Sequence, residues 1–181
     1  MSEILVRNNV RVLGKGSRSM IFAHGFGCDQ NMWRFVVPAF EDEYKLILFD
    51  YVGAGKSDRK AYSLERYSHL QGYALDILEI CEALKLQDGI FVGHSVSSMI
   101  GVLAAIRQPD YFSDLILIGP SPCYINEPGY KGGFERNDIE QLLETMEKNY
   151  IGWANFLAPA IMKNAERPEL AKELTESFCS T

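Results

Sequence analysis

The stretch Ile90-Phe91-Val92-Gly93-His94-Ser95-Val96-Ser97-Ser98-Met99-Ile100-Gly101 decides how the rest of the chain is read. A short apolar run ends at Gly93, and a second, almost unbroken one begins at Val96. This is the pattern of a buried strand turning sharply into a buried helix. Ser95 stands at the apex of that turn, with its hydroxyl pointing out of the carboxyl edge of a sheet. The first backbone N–H of the following helix, that of Val96, faces the same space and can hold a developing oxyanion. The helix dipole adds to this by favouring negative charge at the amino end. The pentapeptide reads G-x-S-x-S. Its last residue, Ser97, occupies a position where glycine lets helix and strand approach closely, and serine is small enough to be accommodated.

Outward from the elbow, Tyr73, Ile77, Ile80, Cys81 and Leu84 mark one face of a helix over residues 70–85, with His69 a surface residue near its start. Downstream, Pro109 stops the elbow helix, and residues 115–118 form another buried strand closed by Gly119-Pro120. Further upstream, residues 4–13 suit edge strands, residues 19–23 a short strand and residues 45–49 a third. Between the last two, Trp33, Val36, Val37 and Phe40 predict a short helix after Asn31. Strands alternating with helices at this spacing imply βαβ crossovers and a parallel sheet covered on both faces.

Two glycine-containing loops leave these strands. His24-Gly25-Phe26-Gly27 follows the strand at 19–23 and offers backbone N–H groups; His24 is read as a brace for that loop in preference to a proton shuttle. Asp50-Tyr51-Val52-Gly53-Ala54-Gly55-Lys56-Ser57 carries a G-x-G, but it lacks a third glycine at the required spacing and no helix begins at Gly55. On those grounds a structural turn is the better reading of the segment than a dinucleotide site.

After Pro120 the character changes. Residues 121–133 are rich in proline and glycine, and helical periodicity without strands follows. Asn137 with Glu140 reads as a variant capping box, Pro159 interrupts the next apolar run, and Pro168 starts a third helix. Residues 1–120 are therefore assigned to a core and residues 121–181 to a helical cap, in which Phe134, Trp153 and Phe156 are candidate pocket-lining residues.

Composition bounds the function. With 181 residues, 47% of them hydrophobic, the chain can bury one sizeable core, and its net charge of −6 argues against nucleic acid as a partner. No stretch approaches the ~20 apolar residues of a membrane span. The amino terminus lacks the basic and apolar regions of a secretory signal, so a cytoplasmic location is expected. Cys28, Cys81, Cys123 and Cys179 are widely spaced, with no zinc or disulfide pattern. No metal and no cofactor are expected.

The runs H-G-F-G-C-D-Q, L-F-D-Y-V-G-A-G-K-S-D, V-G-H-S-V-S-S-M-I-G, I-G-P-S-P-C-Y and G-G-F-E, with N-Y-I-G-W, resemble the RsbQ type of α/β-hydrolase. That group includes a bacterial stress-response regulator and the plant strigolactone and karrikin receptors. The resemblance covers essentially the whole chain. It implies an α/β-hydrolase fold, a mostly parallel sheet flanked by helices with a helical cap. It also implies a Ser-His-Asp site for a small hydrophobic ester, lactone or butenolide-like ligand, either hydrolysed or sensed, with a regulatory protein as possible partner. Ser95 would be the nucleophile, and Phe26 and Val96 would supply the oxyanion N–H groups. Phe26, His94, Phe134, Trp153 and Phe156 would contact the ligand.

One departure stands out. In this fold the triad runs Ser, acid, His along the chain, and the only histidines here are His24, His69 and His94, all before the nucleophile. Asp110, Asp114 and Asp138 do not end a later strand either. The expectation is a truncated member of the family, with its last strands, acid and base missing, inactive as it stands, and with residues 115–118 at an uncovered sheet edge.

Overall fold

Five strands, β1 (Arg11–Leu13), β2 (Arg18–Ala23), β3 (Tyr44–Leu48), β4 (Gly89–His94) and β5 (Phe112–Ile118), make one sheet in a computed structural model that describes residues 2–180. Their order is β1-β3-β2-β4-β5. All neighbours run parallel except β1, which is antiparallel to β3. The register sets Ile21 beside both Ile47 and Phe91, so these three side chains share one face. Their sequence neighbours Met20, Phe22, Leu46, Leu48, Ile90 and Val92 share the other. Both faces are buried over β2, β3 and β4, which is why these strands read as continuous apolar runs without polar alternation, whereas β5, expected to be buried, leaves Ile116 and Ile118 exposed at the edge.

The helices of the first compact unit, which extends to Pro120, are α1 (Glu3–Arg7), α2 (Leu64–Tyr67), α3 (Leu70–Ala83) and α4 (Val96–Arg107). Ile77, Ile80 and Cys81 of α3, Ile100 and Ala104 of α4 and Ile4 of α1 pack with Ile21, Ile47 and Phe91. Trp33 and Val37 cover the opposite face, the Trp33 ring lying 5.2 Å from that of Phe22. The α/β-hydrolase fold expected from the motifs is present, with β5 at the edge of the sheet among the described residues.

Several local expectations are corrected. Residues 4–7, expected to be strand, form α1, with Glu3 in its first turn and Arg7 in its last, each complementing the helix dipole. The helix expected after Asn31 is instead two 3-10 turns, Gln30–Trp33 and Val37–Ala39, because Pro38 has no N–H to continue an α-helical ladder. β5 begins three residues earlier than the apolar run suggested.

The second unit, from Ser121, contains α5 (Arg136–Lys148), α6 (Tyr150–Met162) and α7 (Pro168–Ser180). Its first helix is capped by Glu135 and Asp138, not by Asn137 and Glu140: the Glu135 N–H donates to Asp138 Oδ2 at 3.1 Å. Pro159 does not interrupt α6, which runs through it to Met162. Among the described residues no helix is long and apolar enough to cross a membrane.

Charge fastens α1 to the core. Asp76 on α3 is fully buried, and its Oδ1 accepts from Arg7 Nη2 at 2.7 Å and Arg66 Nη2 at 2.6 Å. Its Oδ2 accepts from Asn8 Nδ2 at 3.2 Å and Tyr67 Oη at 3.1 Å. Glu79, one turn on, takes a second bond from each arginine. Removing one partner from such a buried cluster leaves the others uncompensated, at a cost of about 3–5 kcal/mol. Asp76→Ala should lower the stability by about 3 kcal/mol or more in urea unfolding followed by circular dichroism; a loss under ~1 kcal/mol would mean that the arginines are satisfied by solvent.

Candidate functional site

β4 ends at His94 and α4 begins at Val96, so Ser95 makes the whole turn alone, at φ 57° and ψ −121°. A residue with a side chain holds such a backbone at a cost of about 1–3 kcal/mol, and does so only where its surroundings enforce it. Here the Ser95 N–H donates to Ile118 O on β5 at 2.8 Å. The Ser98 hydroxyl donates to Gly93 O at 2.9 Å, tying the first turn of α4 back to the strand. The Ser95 hydroxyl does not cap its own helix. It stays half-buried above the amino end of α4, where the first N–H groups have no partner within the helix.

Close approach of α4 to β4 comes from Gly93 and Gly101. A Cβ on Gly101 would fall 2.2 Å from the Phe91 ring, and one on Gly93 would fall 2.7 Å from Ser97 O. The glycine-like role anticipated at position 97 is thus filled one turn further along, and Ser97 is left to use its hydroxyl. That hydroxyl is fully buried, donates to the carbonyl of His24 and pairs with Tyr51 Oη at 2.9 Å.

The loop at residues 24–27 lies against the elbow. A Cβ on Gly25 would sit 3.4 Å from Ser95 Cβ and 2.6 Å from His94 Nδ1, so Phe26 follows directly on a residue packed against the apex. The Phe26 side chain is 57% exposed. The Asp50 turn backs this loop. Asp50 Oδ1 accepts from the Gln30 N–H at 2.9 Å, and Oδ2 accepts from the Lys56 N–H at 2.9 Å and Asn9 Nδ2 at 2.7 Å. Its carboxylate fills the turn.

His24 is a brace. Its Nε2 accepts the Tyr51 N–H at 3.1 Å, so it carries no proton there. The remaining ring hydrogen is on Nδ1 and donates to Gly25 O at 2.9 Å. Both nitrogens are committed, and burial pushes the pKa below its ordinary value. His94 is also pushed down by burial, and its Nδ1, turned toward Gly25, has no hydrogen-bond partner among the described residues.

The three candidate residues of the helical unit have unlike surroundings. Trp153 is 3% exposed, between Tyr150 and Phe178, each with its ring centroid 5.3 Å away, inside that unit's own core. Phe134 and Phe156 are 44% and 70% exposed. Sequence reasoning did not single out Tyr51, or the hydroxyl of Ser97 as a bonding group. The available signal was two adjacent serines, Ser97 and Ser98, inside an apolar helix, since buried hydroxyls require partners.

The family described as alpha/beta hydrolase fold matches residues 18–161. Among relatives, the chain is 45% identical over 155 residues to Karrikin insensitive 2 receptor CA of Petunia hybrida, covering 86% of this chain and 57% of that protein. It is 42% identical over 175 residues to Strigolactone esterase D14 of Arabidopsis thaliana, covering 97% of this chain and 65% of that one. Among solved structures, a hydrolase from Oleispira antarctica superimposes with a TM-score of 0.95 at 50% identity, covering 99% of this chain and 66% of that chain. The chain therefore spans roughly three fifths of the length of these relatives.

The His24 arrangement sets a pH dependence. The unfolded chain takes up a proton at His24 near 6.5 and the folded chain resists it, so the unfolded state binds more protons as pH falls. Stability from this group is complete above about 6.5 and is lost as pH drops toward the lowered folded pKa. Urea midpoints should fall between about pH 7.5 and about pH 5.5, and His24→Gln should shrink that difference. An undiminished difference in the variant would assign the effect to other groups.

Proposed function

The chain belongs to the alpha/beta hydrolase fold family, and from that premise we propose that Ser95 is the nucleophile of a site for a small hydrophobic ester or lactone. The observation that carries this is the Ser95 backbone at φ 57°, which holds the hydroxyl at the amino end of α4 beside the Gly25 loop. In the proposed reaction, Ser95 Oγ attacks the ligand carbonyl carbon and the carbonyl oxygen takes up negative charge. That charge is received by the N–H groups of Val96 and Phe26, donors of the kind worth about 10²–10³ in rate. The Ser95 proton has to go to a base. His24 cannot take it, since its Nε2 is occupied by the Tyr51 N–H. We propose a histidine oriented by a carboxylate in that role, and assign neither to a described residue. Without them a serine hydroxyl retains only the residual catalysis of oxyanion hole and binding. Phe26 and His94 are the proposed ligand contacts beside Ser95; Phe134 and Phe156 are exposed residues of the helical unit, and Trp153 lies inside that unit's own core.

A second reading has its own support. The Petunia relative is a receptor by name, and a chain that binds a ligand without turning it over serves sensing directly. In that reading a regulatory protein partner responds to ligand occupancy, in the manner of stress signalling in the cytoplasm.

Phenylboronic acid separates the nucleophile from its base. Ser95 Oγ adds to boron, its proton leaves to solvent, and the boron becomes tetrahedral and singly negative. Boron NMR should show that tetrahedral signal with the 181-residue chain and lose it in Ser95→Ala, while p-nitrophenyl butyrate turnover should be equally low in both. A tetrahedral signal that persists in Ser95→Ala would rule out Ser95 as the nucleophile, and Ser95-dependent turnover would mean that a base lies within this chain.

A further inference from the structure

We infer that Ser97 is a positioning residue, which holds the loop bearing the Phe26 N–H in place by a hydrogen bond from its buried hydroxyl to the His24 carbonyl. The inference rests on the reading of Ser95 as nucleophile for its catalytic meaning, but its structural part stands separately.

Three observations carry it. First, the Ser97 side chain is fully buried and within reach of two groups from distant parts of the chain, the carbonyl of His24 and the hydroxyl of Tyr51. One hydroxyl has a single hydrogen to give. The arrangement that satisfies all three groups is a relay in which Tyr51 donates to Ser97 and Ser97 donates to His24. Second, that relay closes a ring. The Tyr51 N–H donates to His24 Nε2, the His24 Nδ1–H donates to Gly25 O, and the Cys28 N–H donates to the same carbonyl at 3.3 Å. The loop at 24–28 is therefore gripped at the His24 carbonyl from α4 and at the His24 ring from the Asp50 turn. Third, Ser97 is in the first turn of α4, and Ser95 is the residue immediately before that helix. A bond from Ser97 to His24 thus fixes the distance between the nucleophile and the Phe26 N–H two residues beyond His24. Oxyanion donors act only when held near 2.7–3.1 Å from the developing charge, and an error of about 1 Å costs on the order of 10²-fold. A serine at a position where glycine is the usual solution for packing makes sense as a latch between these two halves of the site.

The test uses the 181-residue chain, with Ser97→Ala and, as control, Tyr51→Phe. The alanine removes the bond to His24; the phenylalanine removes a ring hydroxyl of the same network and leaves that bond in place. Two quantities are read: hydrogen exchange at the Cys28 amide, with the β2 amides as reference, and the Kd for phenylboronic acid from the tetrahedral boron signal. Ser97→Ala should speed Cys28 exchange about tenfold with β2 unchanged, and should weaken boronate binding about ten- to a hundredfold. Tyr51→Phe should lower the Tm yet leave the Kd within about twofold. If Ser97→Ala leaves both readouts unchanged, or if Tyr51→Phe weakens the boronate as much as it does, Ser97 is a packing residue and the inference is wrong. Should the unsubstituted chain form no boronate, the nucleophile reading fails by itself, and the exchange at Cys28 still decides whether Ser97 holds the loop.

Discussion

A left-handed backbone at a residue with a side chain is the constraint on which the rest of this structure depends. Ser95 stays at φ 57° because everything around it is set against relaxation. The strand before it is paired on both sides, the helix after it lies against that strand through Gly93 and Gly101, and its own N–H is taken by Ile118. The strain of about 1–3 kcal/mol is spread over a sheet, a helix and an edge strand that would all have to move together to release it. The geometry of the apex and core packing are thus one problem here, since the side chains that fill the core are those that keep the serine at its apex.

Around that apex the molecule uses buried polar groups in closed circuits. Asp50 accepts from the backbone of two neighbouring segments, His24 is engaged at both ring nitrogens, and Ser97 joins the two regions. Each circuit satisfies groups that would be costly to bury alone, and each sets the position of a loop that has no regular structure of its own. This explains why a segment as glycine-rich as residues 24–27 can serve as a precise support.

Much of this was legible in the amino-acid order. The strands at 18–23, 44–48 and 89–94 and the helix at 70–83 could be read because apolar period and strand–helix spacing are local properties. The apex at Ser95 could be read because one apolar run ends at Gly93 and the next begins at Val96, which leaves a single short turn between strand and helix. Ile4 to Arg7 reads as strand because its apolar pattern over a few residues fits strand or helix equally; Glu3 and Arg7 at the ends of the segment and the ion pair of Arg7 with Asp76, far along the chain, favour helix. The 3-10 turns around Trp33 turn on the missing N–H of Pro38, a detail that hydrophobic spacing does not register. The Ser97–His24–Tyr51 relay joins positions 24, 51 and 97, and no window of sequence contains all three.

The grip of Asp76 on Arg7 has a consequence for synthesis. The two residues are separated by 69 positions, so the arginine leaves the ribosome well before its carboxylate exists. At about 5–20 residues per second the wait is roughly 3 to 14 s. A five-residue helix is far too short to persist alone through that interval, since isolated helices below about 12–15 residues are marginal. Residues 3–7 therefore take their final form only after Asp76 has been made, and during those seconds the apolar face of Ile4 and Leu5 is open to whatever meets the nascent chain.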